Sequence, residues 1–562
     1  MAPRRQDDRQ FEFEDPGVGQ QASALAGADA APDGRQQPGT PAVPGGGAGG
    51  EAGGGDERTV IRSGRLKGLS MWAAIWVLSW PVLTESFLNA LVGLVDTTLA
   101  AGISEAATDA IGIASYFQWF IGLIAISLGV GATAMVSRAM GRGRSALAGA
   151  VAGQCVLLSG VLGITAGAAL VVLAPFIANL MSLEPGSNAF RHAVDYLRIV
   201  SLGVPAVTML FSGIACCRGA GDAVRPLVTM GVVNAVNIVV SFALAGADVA
   251  WTRVGPGGEL ISTTIVPHPF PFDMGVHGIA LGTLAAWWTG GFVMLAVLLR
   301  GTHGLRLRPR RLRPHWHTIR RLVRVGVPNF FETAGMWIGN FLTVLMVGWM
   351  GAKGLYGAHV VAIRIEAFSF LPGFAMATAA ATLAGQYLGA RRPDLAKRAI
   401  LRCLVIAAGI MGLLGLAFVT IPEAIVGVFS QQAVHLELTP ALLLACGIVQ
   451  IPFATAIVVR GALRGAGDTR AVMLLTWVST WGVRLPLAWL CSGVEIPLHE
   501  LASLVGIAVE GELVVPNPAP LQERWDVPPL VGLWIGMCVE LAIRPVFFIV
   551  RFLQGGWMRV KV

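Results

Sequence analysis

The sequence predicts an all-α polytopic membrane protein whose twelve transmembrane helices form two pseudo-symmetric lobes of six helices each. Of the 562 residues, 54% are hydrophobic and only 13% are charged, whereas a soluble globular domain carries about 25% charged residues. Twelve apolar stretches reach the length of about 20 residues that a membrane-spanning helix requires. Three short motifs recur in both halves of the chain at nearly one offset, which indicates an internal duplication.

The three motifs occur in the same order in each half. They are PVLTE at 81–85 with PNFFE at 328–332, GRGR at 141–144 with GARR at 389–392, and RGAGD at 218–222 with RGAGD at 464–468. The offsets between their first residues are 247 (328 − 81), 248 (389 − 141) and 246 (464 − 218). Many transporters are built from such repeats, with the transport site between or within them.

The first 66 residues differ in composition from the rest of the chain. They are rich in Gly, Pro, Ala, Gln and Asp and show no apolar periodicity, so they bury too little apolar surface to offset the entropy of ordering. We therefore expect residues 1–66 to form a disordered cytoplasmic tail. The remainder is predicted to consist of an N-lobe (67–303), a basic cytoplasmic linker (304–324) and a C-lobe (325–562).

The apolar stretches can be assigned in order along the chain, six in each half. They lie near 72–100, 107–138, 147–178, 192–216, 224–246, 276–300, 322–350, 355–388, 398–430, 437–463, 469–492 and 528–552. Two polar insertions, 248–275 and 493–527, separate the last two spans of each half. Their Pro, Gly and β-branched residues are typical of short hairpins or ordered loops. We interpret both as caps on the outer face rather than as binding elements.

The basic residues favour one orientation in the membrane. Arginines cluster after the second and eighth spans, in both RGAGD motifs and throughout the linker 304–324. All of them lie on one side if the N-terminus does, and the positively charged side is the cytoplasmic one. The sequence thus predicts a multi-pass protein of a prokaryotic inner membrane with both termini in the cytoplasm. The net charge of +8 reflects this topology, so no nucleic-acid partner is expected.

Ionisable side chains within a span are candidates for a functional site, because an unpaired charge in the membrane interior costs several kcal/mol. The first span contains Glu85 and Asp96, eleven residues apart, so their directions differ by only about 20° around the helix. Asn89 lies on the same face. This polar stripe is best placed facing a water-filled cavity; the alternative for Glu85 is a position at the membrane interface.

The fifth and sixth spans add uncharged oxygen donors. Asn237 and Ser241 are one helical turn apart, and Thr283 lies near the beginning of the sixth span. Amide and hydroxyl oxygens beside one carboxylate suit a small hard cation such as sodium. They also suit a protonated aspartate as hydrogen-bond partners, and polar side chains of this kind commonly join helices in membrane bundles.

The second half contains a different set of charges. Glu332, Arg364, Glu366 and Arg484 fall in its seventh, eighth and eleventh spans, and we expect them to form a buried network between helices. Whether this network contacts substrate or only fixes the bundle is left open by the sequence. A further pair in the twelfth span, Glu540 and Arg544, is one turn apart and therefore able to pair within its own helix.

Several segments together resemble the multidrug and toxic compound extrusion (MATE) family over residues 67–562. They are GLVDT at 93–97, the two RGAGD motifs, GVP at 326–328, and LAGQYLGA at 383–390 followed by RPDLA at 392–396. The resemblance implies two six-helix lobes arranged as a V. It also implies export of organic, often cationic, drug-like compounds in exchange for H⁺ or Na⁺.

The resemblance assigns the family's cation-coupling positions to Asp96, Asn237 and Thr283, with Ser241 as a neighbour. A sodium ion would bind at Asp96, Asn237 and Thr283. Some relatives carry a second acid one turn after the asparagine, where this chain has Ser241. The departure leaves a single deep carboxylate in the N-lobe, which favours proton coupling. In the C-lobe, Glu332 lies closer to Pro328 than is usual for the acid of that span in sodium-coupled members.

The function predicted from these observations is secondary active antiport of small organic compounds across a lipid bilayer, carried out by a monomer. No cofactor besides the coupling ion is expected. The sequence contains no GxxxxGK[ST], HExxH or GxSxG motif, so we expect no enzyme activity. A flippase for lipid-linked precursors shares the two-lobe architecture and is the alternative, although it requires a strongly cationic cavity. A third possibility is a membrane scaffold or receptor without transport.

Overall fold

The described part of the chain begins just before the first helix. The computed structural model describes residues 61, 64–180, 185–254, 260–351, 354–430, 432–499, 502, 511, 513–518 and 526–562. Of the segment predicted to be a disordered tail, 1–66, all but residues 61 and 64–66 lie outside the described residues. Those four residues differ from the prediction, because Leu66 is only 1% exposed and Arg65 Nη1 lies 3.1 Å from Asp222 Oδ1.

Helices make up most of the described structure. The N-lobe contains α1 (Met71–Ile103), α2 (Glu105–Gly141), α3 (Ser145–Leu180), α4 (Asn188–Ser201), α5 (Val204–Gly219), α6 (Val224–Ala245) and α7 (Val276–Arg300). The C-lobe contains α8 (Trp316–Trp349), α9 (Leu355–Gly389), α10 (Pro393–Thr420), α11 (Pro422–Phe429), α12 (Ala433–Ile448), α13 (Gln450–Gly465), α14 (Thr469–Ser479), α15 (Leu485–Ser492) and α16 (Pro529–Gln554). A π-helical segment, Thr480–Arg484, joins α14 to α15.

The number of membrane spans agrees with the prediction. Within the described residues, ten helices are long and apolar enough to cross a membrane, or twelve when each of two bent pairs counts as one span. The bent pairs are α4 with α5, at 53°, and α12 with α13, at 57°. A proline near the beginning of each second helix, Pro205 and Pro452, lacks the N–H that would continue the hydrogen-bond ladder. The bends therefore follow from the sequence.

The two insertions form antiparallel hairpins, as expected. Strand β1 (Val249–Val254) pairs with β2 (Leu260–Val266) in the first insertion. Strand β3 (Ile496–Pro497) pairs with β4 (Val514–Val515) in the second, although residues 500–501, 503–510, 512 and 519–525 of that insertion lie outside the described part. We call the end of the bundle that carries these hairpins the insertion end.

The opposite end of the bundle, which we call the turn end, carries residues 141–144, residues 389–392 and both RGAGD motifs. Each motif forms a turn in which the second glycine has a left-handed backbone, with φ of 89° at Gly221 and 87° at Gly467. Glycine adopts this conformation without the steric penalty of a Cβ. The same residue in both halves therefore reverses the chain between two helices, α5 to α6 and α13 to α14.

The lobes exchange the first parts of their leading helices. Met71, Ile75 and Leu78 of α1 lie in a buried cluster made mainly of C-lobe residues. Conversely, Leu322 of α8 lies in a cluster of N-lobe residues. Packing thus crosses the predicted lobe boundaries at 67 and 325, because each leading helix begins in the core of the other lobe.

Candidate transport site

One hydrogen bond fixes how α1 and α6 lie side by side in the N-lobe. Asn234 Nδ2 on α6 donates to Asn89 Oδ1 on α1 at 3.4 Å, across 145 residues of sequence. Near the insertion end, Gly102 packs against Ala247 at the same offset (247 − 102 = 145). Both helices run from the turn end to the insertion end.

Asp96 and Ser241 lie at the same offset along α1 and α6, since 96 + 145 = 241. Both residues lie seven positions beyond the hydrogen-bonded asparagines, and seven residues return to nearly the same helix face about two turns further on. Ser241 is fully buried, whereas Asp96 is half-buried. The acid and the serine that the sequence analysis selected thus occupy corresponding positions along the two helices.

The third helix of this cluster is α7. Asn237 Nδ2 donates to Thr283 Oγ1 at 3.3 Å, as expected from their joint assignment. Gly282 lies directly against Ser241, so that a Cβ at Gly282 would overlap the serine hydroxyl. Helices α6 and α7 therefore approach closely at the level of the site.

Three oxygen atoms of this cluster have no hydrogen-bond partner among the described residues. They are Asp96 Oδ1, Asn237 Oδ1 and Ser241 Oγ, and all three are buried. Leaving a buried polar atom without a partner costs about 1–3 kcal/mol, so the cluster is well suited to accept an additional proton or cation. We call Asp96, Asn237, Ser241 and Thr283 the N-lobe oxygen cluster.

The close α6–α7 contact gives a testable prediction. Gly282→Ala places a methyl group against Ser241, and such overpacking typically costs about 1–3 kcal/mol. We expect the midpoint of thermal unfolding in detergent to fall and transport to weaken. Gly231→Ala is the matched control, because a Cβ at Gly231 on α6 meets nothing within 4 Å. Equal midpoints for the two variants would contradict the proposed packing.

The repeated acids of the PxxxE motifs form buried ion pairs. Arg218 Nη2 lies 2.6 Å from Glu85 Oε2, and Arg464 Nη2 lies 2.8 Å from Glu332 Oε1. Each arginine is the first residue of an RGAGD motif. Glu85 is therefore buried and paired, and it joins α1 to the first RGAGD turn.

Sequence reasoning missed both arginine partners, although the repeat contained the signal. A glutamate and an arginine recur together, at offsets of 247 (332 − 85) and 246 (464 − 218). The predicted network of Glu332, Arg364, Glu366 and Arg484 is wrong for Glu332, whose partners are Arg464, Thr476 at 2.9 Å and Arg460 at 3.6 Å. The guanidinium groups of Arg464 and Arg460 neutralise the charge of Glu332, which is therefore not available to the predicted network.

The other three members of the predicted network lie apart from Glu332. Arg364 is exposed on α9. Arg484, at the end of the π-helical segment, donates to Asn340 Oδ1 at 3.0 Å. It also interacts electrostatically with Glu366, so these two members of the predicted network are neighbours. The pair predicted within α16 is confirmed, since Arg544 Nε lies 2.6 Å from Glu540 Oε1.

A cavity of about 210 Å³ lies between the lobes. Helices α2 and α5 form its N-lobe wall and α9 and α13 form its C-lobe wall. The wall is mainly apolar, with Phe211 and Phe374 contributed by different lobes, and Arg218 and Arg464 lie at equivalent positions in it. Such a cavity suits the apolar body of a small organic compound.

Comparison with known proteins identifies the repeat as a family signature. The sequence pattern of the MatE family matches residues 81–243 and, separately, residues 328–490. The two matches begin at the prolines of the repeated motif, 247 residues apart (328 − 81). This result confirms the internal duplication.

The curated relatives are of similar length. A probable multidrug resistance protein NorM from Thermotoga maritima is 25% identical over 491 residues, which cover 86% of this chain and 93% of that protein. The multidrug resistance protein NorM from Burkholderia vietnamiensis is 29% identical over 426 residues, covering 73% of this chain and 85% of the relative. These relatives are named for multidrug resistance, so they do not favour the flippase alternative.

Solved structures share the fold. A transporter of the MOP superfamily from Pyrococcus furiosus, described as having a binding pocket of reversed polarity, superposes with a TM-score of 0.71 at 19% identity, over 90% of this chain and 99% of that one. A mutant of the Vibrio cholerae MATE transporter VcmN gives 0.72 at 15% identity, over 87% and 99%. The chain therefore belongs to the MatE family, and it is a multi-pass membrane transporter with the two-lobe MATE fold.

Proposed function

We propose that this transporter exports small organic, drug-like compounds across the inner membrane in exchange for protons that bind at Asp96. The observation that carries the proposal is the N-lobe oxygen cluster, in which a carboxylate, an amide and a hydroxyl oxygen are buried without a hydrogen-bond partner among the described residues. The multidrug resistance proteins that resemble the chain support the substrate class.

Protons are favoured over sodium by the donor set of the cluster. It contains one carboxylate, and Ser241 occupies the position one turn after Asn237, where a second acid would strengthen cation binding. When Asp96 is protonated, its hydroxyl becomes a donor for an oxygen that has none. One added proton thus supplies the missing hydrogen bond, whereas a metal cation would require several oxygen ligands.

Coupling follows if the proton and the compound favour different conformations. Protonation removes the charge of Asp96 and allows the surrounding helices to pack more closely, whereas the organic compound needs the cavity between the lobes to remain open. Two ligands that stabilise different states of one equilibrium are linked thermodynamically. A transmembrane proton gradient can then drive export of the compound.

The orientation is part of the proposal. Basic residues concentrate at the turn end, which we assign to the cytoplasm. Asp96 lies only seven residues before the end of α1 (103 − 96 = 7), near the insertion end. Protons would therefore enter the cluster from the outer side, and both termini would be cytoplasmic.

Reconstituted vesicles test the proposal directly. The purified protein is placed in liposomes, and uptake of the fluorescent cation ethidium is followed under an acid-inside pH gradient or, separately, under an outwardly directed sodium gradient. We expect the pH gradient to drive accumulation at least tenfold above protein-free vesicles, and the sodium gradient at constant pH to have no effect. Accumulation under sodium alone would contradict proton coupling, and accumulation of none of a panel of cationic, neutral and zwitterionic drugs would contradict drug export.

A further inference from the structure

Arg138, near the end of α2, connects the N-lobe to the backbone of the C-lobe. Its side chain is largely buried, with 8% of the residue exposed. Its Nη2 donates to the carbonyl oxygen of Ala466, in the second RGAGD turn, at 2.9 Å. Its Nη1 donates to the carbonyl oxygen of Val560, beyond α16, at 2.6 Å. Both acceptors belong to the other lobe.

Gln386, near the end of α9, makes the reciprocal connection. Its Nε2 donates to the carbonyl oxygen of Gly219, in α5 at the first RGAGD turn, at 3.1 Å, and the residue is fully buried. The offset between the two donors, 248 (386 − 138), equals that of the repeated glycines 141 and 389. Each lobe therefore holds the RGAGD turn of the other through an equivalent position.

The helices that carry these donors cross without side chains between them. A Cβ at Gly141 would overlap the carbonyl oxygen of Gln386, and a Cβ at Gly389 would overlap the carbonyl oxygen of Arg138. A third glycine, Gly385, lies equally close to Ser137. This close approach explains why glycine recurs in the second repeated motif, and it keeps water away from the hydrogen bonds of Arg138 and Gln386.

The acceptors are held in place by the ion pairs described above. Arg218 and Arg464 are bound by Glu85 and Glu332, and these arginines begin the turns that receive the hydrogen bonds. The Asn329–Ser127 hydrogen bond, 3.4 Å long, joins α8 to α2 on the same side of the bundle. Contacts between the lobes thus concentrate at the turn end.

We propose that Arg138 and Gln386 form a reciprocal clasp that keeps the turn end closed and sets how often the cavity opens toward that end. The arrangement is two-state: packed lobes satisfy both donors with backbone carbonyls, and separated lobes satisfy them with water. Transport by rocking of two lobes requires such a releasable contact. The proposal rests on alternating access but not on the identity of the coupling ion or of the substrate.

Hydrogen–deuterium exchange of the full-length protein in lipid nanodiscs, without substrate or ion gradient, measures opening of the clasp. We expect Arg138→Gln to accelerate amide exchange at least tenfold in both RGAGD turns, because each turn is covered by the opposite lobe. Exchange in the α6–α7 pair is expected to stay unchanged. Arg142→Gln is the matched control, since this arginine lies one turn further on with an exposed side chain.

Gln386→Leu tests reciprocity from the other lobe and remains informative if Arg138→Gln folds poorly. Leucine has a similar volume but cannot donate to Gly219, so both turns are again expected to exchange faster. Arg138→Lys retains one donor group and is expected to restore part of the protection. Unchanged exchange in the turns, acceleration confined to the turn that the altered side chain touches, or equal acceleration throughout α6 and α7 would each overturn the clasp.

The same experiment separates failure of the clasp from failure of the proposed function. Exchange reports the opening of the turn end whether or not ethidium is transported. Conversely, drug export in vesicles can be observed whether or not Arg138 and Gln386 are the residues that keep the turn end closed.

Discussion

Asp96→Asn is expected to reduce gradient-driven export at least tenfold, to the level of passive leak. Asparagine has nearly the same shape as aspartate but does not take up a proton in this pH range, so it leaves the N-lobe oxygen cluster permanently uncharged. Binding of the organic compound to the proposed site, the cavity between the lobes, is expected to persist. The measurement is ethidium accumulation in vesicles under a pH gradient, with binding measured separately by fluorescence in detergent.

Asp195→Asn is the control for Asp96→Asn. This aspartate is on α4 of the same lobe, with 45% of its side chain exposed, and lies 3.3 Å from His277 Nε2. Its removal is expected to leave export unchanged. Undiminished gradient-driven accumulation by Asp96→Asn would refute the role of Asp96 in coupling.

Glu332→Gln is expected to cause the largest loss of stability of any change discussed. Glu332 Oε1 lies 2.8 Å from Arg464 Nη2, and its Oε2 accepts from Arg464 Nε at 3.0 Å. Arg460 is also nearby, at 3.6 Å. Removal of the carboxylate takes the nearest countercharge from two largely buried guanidinium groups, and breaking a buried pair in this way typically costs about 3–5 kcal/mol. Thermal unfolding in detergent checks the result.

The equivalent change in the N-lobe, Glu85→Gln, serves as the comparison for Glu332→Gln. Glu85 has one arginine partner, and Met230 occupies the position equivalent to Thr476 (476 − 246 = 230). A smaller decrease in the unfolding midpoint is therefore expected. If Glu85→Gln destabilised the protein as much as Glu332→Gln, the charge imbalance around Glu332 would not explain the effect. Arg464→Ala combined with Glu332→Gln should recover part of the loss, because it removes one unpaired charge.

The helices and the repeat were predictable because they depend on local properties of the chain. An apolar run of sufficient length spans a membrane wherever it occurs, and hydrogen bonds within the helix satisfy its backbone. The left-handed glycines of the RGAGD turns likewise follow from a four- or five-residue pattern. The family resemblance and the MatE match agree on the same repeated segments.

The partners of the buried charges were not predictable from helix periodicity alone. Glu85 and Arg218 are 133 residues apart in sequence, and Arg138 and Val560 are 422 residues apart. Such pairs form only when specific helices become neighbours. Helix periodicity shows which face of its own helix a residue occupies, but it does not show which residues of another helix pack against that face. The repeat was the overlooked signal, since it conserved the acid and the arginine together.

By itself, the sequence determined a two-lobed bundle of membrane helices and selected Asp96, Asn237, Ser241 and Thr283 as one candidate cluster. Only the tertiary structure decided that Asn237 donates to Thr283 and that Ser241 packs against Gly282, because both contacts depend on how α6 and α7 approach each other. The structure also shows how the corresponding position of the C-lobe differs. Thr343 corresponds to Asp96 (96 + 247 = 343), and its hydroxyl donates to the carbonyl oxygen of Gly339. Asp96 Oδ1, which has no hydrogen-bond partner among the described residues, is available to accept a proton or a cation. The hydroxyl of Thr343 is already bonded within its own helix.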